Sequence, residues 1–119
     1  MQDFELYKVV KEPENEHVVF KVLEDCNLSH YILMDNTYDA VGNISNVHRH
    51  SLVLPNINVS KGDFIRIYTG IGEPRSFVNQ SQSITYEIYW GFEDGISIWN
   101  DASDKVYILK IESRQIFNV

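Results

Sequence analysis

The densest group of potential metal ligands in this 119-residue chain is His48-Arg49-His50. Residues two apart on a β-strand point to the same side, so both imidazoles could bind one metal ion. A zinc site needs further ligands, and neither His17 nor His30 has a spacing that brings it to this pair. We therefore interpret the pair as part of a polar strand face, and we assign the chain no metal and no cofactor.

Carboxylates form a second group, at Glu93, Asp94, Asp101 and Asp104. Calcium prefers oxygen-rich loops of this kind. The spacing lacks the alternating Asp-x-Asp-x-Asp-Gly pattern of a calcium-binding loop. These residues therefore favour a solvated acidic end of the domain over a metal site.

Aromatic residues are concentrated between positions 86 and 99, at Tyr86, Tyr89, Trp90, Phe92 and Trp99. Exposed together, such rings could stack on sugars or anchor a protein partner. Two-residue alternation places Tyr86, Ile88 and Trp90 on one strand face, which favours the core, and Glu87 and Tyr89 on the other. The candidate partner surface is Tyr89, Phe92, Glu93 and Asp94.

The sequence contains no recognisable catalytic arrangement. No serine lies in a Gly-x-Ser-x-Gly turn, and Gly70-Ile71-Gly72 lacks the following helix of a phosphate-binding loop. The single cysteine, Cys26, lies beside Glu24 and Asp25, whereas reactive thiols need an electropositive neighbourhood. We predict that the chain is not an enzyme.

Charge and composition narrow the classes of partner. The formal net charge is -7, with 17 acidic and 10 basic side chains, and the basic residues are scattered. Such a balance disfavours nucleic acid and anionic lipid, and no apolar run is long enough to span a bilayer. One cysteine fits a reducing compartment. We expect a cytoplasmic protein if the chain is complete, and a secreted one if a leader was trimmed.

The elements that position these residues are short strands, because the hydrophobic period is two nearly everywhere. The pattern predicts strands at 4–9, 17–23, 31–34, 51–54, 64–69, 84–90, 96–99 and 105–111. Turn signals separate them, and longer loops are expected at 35–46 and 70–83. Many short strands in a chain of this length predict one all-β domain over residues 1–119, a sandwich or barrel of about 7–9 strands.

Three stretches together resemble the lamin tail domain, the immunoglobulin-like module at the end of nuclear lamins that also occurs in many bacterial proteins. The stretches are Leu28-Ser29-His30-Tyr31-Ile32-Leu33-Met34-Asp35, the segment from Leu54-Pro55 through Lys61-Gly62-Asp63 to Tyr68-Thr69-Gly70, and Trp90-Gly91 with Trp99-Asn100-Asp101 and Asp104-Lys105-Val106-Tyr107-Ile108. The resemblance covers roughly residues 16–111. It departs from the family at His30 and Ser103, where glycine is usual, and at Ser60-Lys61, where a proline is usual.

The resemblance implies an immunoglobulin-like β-sandwich with Greek-key connections. It also implies a non-enzymatic protein-interaction module, with an unidentified protein as its partner. A carbohydrate-binding module that uses the aromatic region 86–99 is the alternative. Asn100 and Asp104 can bond a tight turn over which Trp99 packs, so we predict a structural corner. The residues of that corner are Trp90, Trp99, Asn100 and Asp104.

Overall fold

The computed structural model describes residues 2–38, 44–45, 50–93, 96–99 and 104–119, with 37–38 and 44–45 given by their backbone alone. Within these ranges the regular structure is almost entirely β-strand, and the helical element is a single 3-10 turn at Leu28–His30. The strands are β1 (Phe4–Val10), β2 (His17–Val22), β3 (Cys26–Asn27), β4 (Tyr31–Met34), β5 (Thr37–Tyr38), β6 (Ile44–Ser45), β7 (Ser51–Val53), β8 (Asn58–Val59), β9 (Phe64–Tyr68), β10 (Arg75–Val78), β11 (Ile84–Tyr89) and β12 (Tyr107–Lys110). The predicted all-β class is confirmed. No helix in the described ranges is long and apolar enough to cross a membrane.

The chain divides into two compact units, each built from two chain segments. The larger unit comprises Met1–Cys26 and Asn58–Ala102, and the smaller unit comprises Asn27–Ile57 and Ser103–Val119. The larger unit contains a five-stranded sheet in the order β1-β2-β9-β11-β10, and the smaller contains a three-stranded sheet in the order β12-β4-β7 and the pair β5-β6. These several sheets are compatible with a β-sandwich, while the immunoglobulin-like strand order and the single domain over 1–119 stay predictions.

The five-stranded sheet has one apolar face, which alternation in β2 and β9 produces. Val18, Phe20 and Val22 share this face and are buried, as the sequence predicts. Ile65 and Ile67 of β9 pair with Phe20 and Val18 and are 1% exposed. Burying each such side chain contributes about 1.5–3 kcal/mol before the entropy cost of ordering it.

The other side of this sheet we call the charged face. Its residues follow from the strand registers: Glu5, Lys8 and Val10 of β1, His17, Val19 and Lys21 of β2, Phe64, Arg66 and Tyr68 of β9, Thr85, Glu87 and Tyr89 of β11, and Arg75 and Phe77 of β10. The register of β1 shifts between Leu6 and Lys8, which leaves Tyr7 at a bulge. The pair β9–β11 is parallel, whereas the other three pairs in this sheet are antiparallel.

The loop expected over 35–46 contains the short antiparallel pair β5–β6. Two further sequence predictions of local structure are wrong. The segment 70–83, expected as a loop, contains β10, which forms an antiparallel pair with β11. The segment 96–99, expected as a strand, forms none, because the backbone N–H groups of Ile98 and Trp99 donate to the Glu16 carboxylate instead of to a neighbouring strand. In both places a contact with a distant residue decided the local structure.

The smaller unit is centred on β4. Leu33 is fully buried and Tyr31 is 2% exposed. The 3-10 turn that precedes β4 is capped by Asn27, whose Oδ1 accepts a hydrogen bond from Ser29 N at 2.9 Å. Asn36 accepts a bond of 2.6 Å from Lys105 N, which ties the end of β4 to the segment that leads into β12.

Candidate functional site

The buried carboxylate of Glu87 lies on the charged face, on the strand between β9 and β10. One oxygen accepts hydrogen bonds from Arg66 Nη1 at 3.2 Å and from Tyr68 Oη at 3.0 Å, and the other accepts from Arg75 Nε. Because β11 lies between β9 and β10, partners reach this carboxylate from both neighbouring strands. The side chain of Glu87 is therefore buried although it belongs to the face opposite Ile88, and 3% of the residue is exposed.

Electrostatics keep Glu87 ionised. Burial is the largest single influence and opposes ionisation, but the hydrogen bonds from Arg75, Tyr68 and Arg66 together outweigh it, so the pKa of Glu87 lies below its ordinary value. The same contact acts in reverse on Tyr68, whose pKa is raised by burial and by its hydrogen bond to Glu87. The network thus carries a fixed negative charge between two guanidinium groups and a neutral phenol.

Stacked rings continue from this network. The Tyr68 ring lies 4.9 Å from the Tyr89 ring at an interplanar angle of 14°, and 4.5 Å from the His17 imidazole. Gly72 packs against the Tyr89 ring, since a Cβ at that position would overlap this ring. Tyr89 is consequently half-buried.

Phe77 of β10 completes the charged face beside the two arginines. The guanidinium carbons of Arg66 and Arg75 lie 5.7 Å and 5.5 Å from the centroid of its ring. Both distances are within the range of cation–π attraction. Phe77 and Glu87 together therefore hold the two guanidinium groups in place.

A cavity of about 550 Å³ opens on the charged face next to this cluster. Its lining combines aromatic, cationic and hydrogen-bonding side chains: Tyr7, Lys8, His17, Val19, Phe64, Arg66, Phe77, Val78, Asn79, Gln80, Ser81 and Thr85. The Tyr7 ring, which the bulge in β1 directs to this side, meets the Phe64 ring edge-on with centroids 5.1 Å apart. The cavity falls within the size range of small-ligand sites.

The turn between β10 and β11 forms one wall of the cavity and is held by Asn79. Its Oδ1 accepts hydrogen bonds from Ser81 N at 3.0 Å and Ser83 N at 3.2 Å, and its Nδ2 donates to Thr85 Oγ1 at 3.0 Å. An Asn side chain that bonds its own turn is a common way to fix a tight connection. The wall is thus held by side-chain bonds as well as by the strand pair.

The residues of the predicted partner surface differ in their contacts and exposure. Tyr89 stacks on Tyr68, while Phe92 lies 5.6 Å from Trp90 between ring centroids and is partly exposed. Glu93 is exposed. Asp94 lies outside the described residues.

The predicted corner is described in part. Trp99 is 2% exposed, and its ring centroid lies 6.3 Å from that of Trp90. Both tryptophans belong to the larger unit, and Asp104, partly exposed, belongs to the smaller. Asn100 lies outside the described residues, as does Asp101 of the acidic group.

Glu16, which precedes β2, holds the segment before Trp99. Its carboxylate accepts hydrogen bonds from Thr69 Oγ1 at 2.7 Å, Ser97 Oγ at 2.5 Å, Ile98 N at 2.7 Å and Trp99 N at 3.3 Å. Burial opposes ionisation most strongly, yet the four bonds together lower the pKa of Glu16 below its ordinary value. In the sequence this residue belongs to a polar break, and nothing there indicates partners so distant along the chain.

The histidines that the sequence singled out do not come together as ligands in the described part of the chain. His50 Nδ1 lies 2.6 Å from Asp35 Oδ2, and its backbone N–H donates to Asp35 Oδ1 at 2.8 Å. His17 belongs to the charged face of the other unit, and His48 lies outside the described residues. Among described residues, no three His, Cys, Asp or Glu side chains are grouped as metal ligands would be.

Comparison of the chain with protein-family models, with curated proteins and with solved structures finds no match.

Proposed function

We propose that this chain is a non-enzymatic binding module that holds a sugar-like ligand in the cavity on the charged face. The observation that carries the proposal is the lining of that cavity, which places aromatic rings beside amide, hydroxyl and cationic donors. Sugars present apolar C–H faces and a rim of hydroxyls, so they need both kinds of contact. The carbohydrate alternative is thereby favoured over a general protein partner, at Tyr7, Phe64 and Phe77 instead of within 86–99.

The rings provide the stacking surface. Tyr7 is 63% exposed, although its ring edge is supported by Phe64. An aromatic ring that is already exposed and held in place stacks on a ligand at little cost in conformational entropy. Trp90 and Trp99, two aromatics of the region 86–99, pack against each other, and Trp99 is buried.

The polar side chains provide orientation. Arg66 is fixed by Glu87 and Phe77 and is the oriented donor for a ligand. Asn79 instead fixes the turn, because its two amide N–H groups already donate to Ser83 Oγ and Thr85 Oγ1. Gln80 and Ser81 lie on the same wall. Donors held in position before the ligand arrives bind it more tightly than donors that must first be ordered.

The test is a glycan array followed by calorimetric titration of the best ligands. Tyr7→Ala is expected to weaken binding about tenfold, the loss that corresponds to about 1.4 kcal/mol. Phe117→Ala is the matched control, because Phe117 is equally aromatic and 76% exposed but belongs to the smaller unit. The proposal fails if no glycan binds, or if the two variants weaken binding equally.

A second candidate is protein binding, which the resemblance to the lamin tail domain implies, and we place it along β1. The observation that favours it is an outer strand of the sheet with large apolar side chains exposed, Leu6 at 49%, Tyr7 at 63% and Val9 at 37%. An edge strand of this kind can take up a further strand from a partner. Leu6→Lys is expected to abolish capture of a specific host protein while glycan binding persists, and retention of that partner by the variant argues against this candidate.

A further inference from the structure

We propose that the ligand in the charged-face cavity is an anionic saccharide, whose acidic group pairs with Arg66 and Lys8. This inference rests on the proposed function and specifies the ligand's charge. The two cations line the same cavity as Tyr7 and Phe64, so one ligand can touch a ring and a cation together.

The charged face has a net positive charge, whereas the chain as a whole has a net negative charge. Among the described strands, four cationic side chains, Lys8, Lys21, Arg66 and Arg75, share the face with two anionic ones, Glu5 and Glu87. The whole chain has a formal net charge of -7. A local cationic surface on an acidic protein attracts an anion only at that surface, because charges farther away than about 10 Å are screened at 0.1 M salt.

The arginines keep donors available after binding Glu87. A guanidinium has five N–H donors, and the bonds to Glu87 use Nη1 of Arg66 and Nε of Arg75. The remaining N–H groups of Arg66 belong to a side chain that lines the cavity and is 38% exposed. A planar guanidinium held in one orientation matches a carboxylate or sulfate through two parallel hydrogen bonds.

Size and lining favour an anion carried by a sugar over an inorganic ion. A cavity of about 550 Å³ is far larger than one anion, and three of the twelve residues that line it are Tyr or Phe. A bare ion bound at Arg66 would fill only a small part of this cavity and leave the rest of its lining uncovered. A sugar ring with an acidic substituent contacts both parts of the lining.

The experiment is calorimetric titration of the whole chain with three probes: a trimer of galacturonic acid, the neutral galactose trimer with the same linkage, and inorganic sulfate. We expect the acidic trimer to bind about tenfold more tightly than the neutral one in low salt, the effect of one added charge-assisted hydrogen bond. Lys8→Gln should reduce this preference, because Arg66 then remains as the one cation that pairs with the acidic group. Lys8 is exposed, so its replacement leaves the fold intact. Lys61→Gln, the same charge change on an exposed turn, should leave the preference unchanged.

The outcomes distinguish the anionic-saccharide inference from the sugar-binding proposal on which it rests. Equal affinity for the acidic and neutral trimers overturns the anionic assignment and leaves the sugar-binding proposal in place. Sulfate binding as tight as the acidic trimer overturns the saccharide part. No binding by any probe overturns this inference, and an empty glycan array in addition overturns the proposed function. Arg66→Gln is a further variant, expected to lower affinity for the acidic trimer more than for the neutral one.

Discussion

Replacing Glu16 by Gln removes a negative charge from a carboxylate that four hydrogen bonds hold inside the larger unit. The amide oxygen of Gln can still accept from Thr69 Oγ1, Ile98 N and Trp99 N, the three donors that bond Oε1. The amide nitrogen then faces Ser97 Oγ, whose hydroxyl must turn from donor to acceptor. The variant therefore keeps the shape of the site and loses the charge.

The expected cost is about 1–3 kcal/mol at pH 7. Hydrogen bonds to a charged group contribute about 1.5–3 kcal/mol each and neutral ones about 0.5–1.5 kcal/mol, and several bonds of Glu16 weaken at once. Part of this loss is offset, because the variant no longer buries a charge. With a denaturant dependence of about 2 kcal/mol per molar urea, the unfolding midpoint should fall by roughly 1 M.

The pH dependence provides the sharper test. The folded-state pKa of Glu16 is lowered, so its contribution to stability is complete above the unfolded pKa of about 4.3 and is lost as the pH falls through the folded value. The free-energy difference between wild type and Glu16→Gln should be largest at pH 7 and shrink below about pH 4. Urea unfolding followed by fluorescence of Trp90 and Trp99 at pH 7, 5, 4 and 3 measures it.

Glu24→Gln is the matched control, since Glu24 is exposed in the same unit and the charge change is identical. It should change the free energy of unfolding at pH 7 by no more than about 0.5 kcal/mol. A Glu16→Gln protein as stable as the wild type at pH 7 would refute the reasoning. So would a difference that stays constant from pH 7 to pH 3.

Three further substitutions test the packing. Asp63→Asn should cost about 1–3 kcal/mol in thermal unfolding, because Asp63 accepts from Ser60 N and from Ile84 N on separate oxygens and an amide NH₂ must oppose one of these donors; an unchanged melting temperature contradicts this. Leu33→Ala should cost about 2–5 kcal/mol by urea titration, since Leu33 is fully buried, and a loss below about 1 kcal/mol would show that the site collapses around the smaller residue. Gly72→Ala should cost about 1–3 kcal/mol and reduce the near-ultraviolet dichroism of the stacked tyrosines, because the added methyl overlaps the Tyr89 ring. Identical spectra for Gly72→Ala and the wild type would mean that the backbone yields instead of the ring.

The faces of the strands were predictable from the sequence. Alternation assigned Val18, Phe20 and Val22 to one face and separated Ile88 from Glu87, and the structure agrees. Side chains on a strand alternate because of backbone geometry alone, so a local pattern is sufficient to find them. The same information could not show that Glu87 would be buried, because its partners come from β9 and β10.

The pairing of the strands could not be predicted from the sequence. Nothing in 70–83 distinguishes β10 from its flanking loops, since the strand forms only by bonding to the edge of β11. The parallel pair β9–β11 likewise depends on which strands are neighbours in the sheet. Pairing joins residues far apart in the chain, and period and propensity carry no information about such partners.

The candidate site shows the same division. The sequence by itself determined that this is an all-β protein and which sides of β2 and β11 are apolar, because those features follow from the chain's local geometry and from the exclusion of apolar groups from water. Only the tertiary structure decided that Tyr7, Arg66 and Phe77, from three separate strands, line one cavity. It also decided that Glu16 anchors the segment before Trp99. Both depend on strand order and register, which arise from the free energy of pairing the whole sheet.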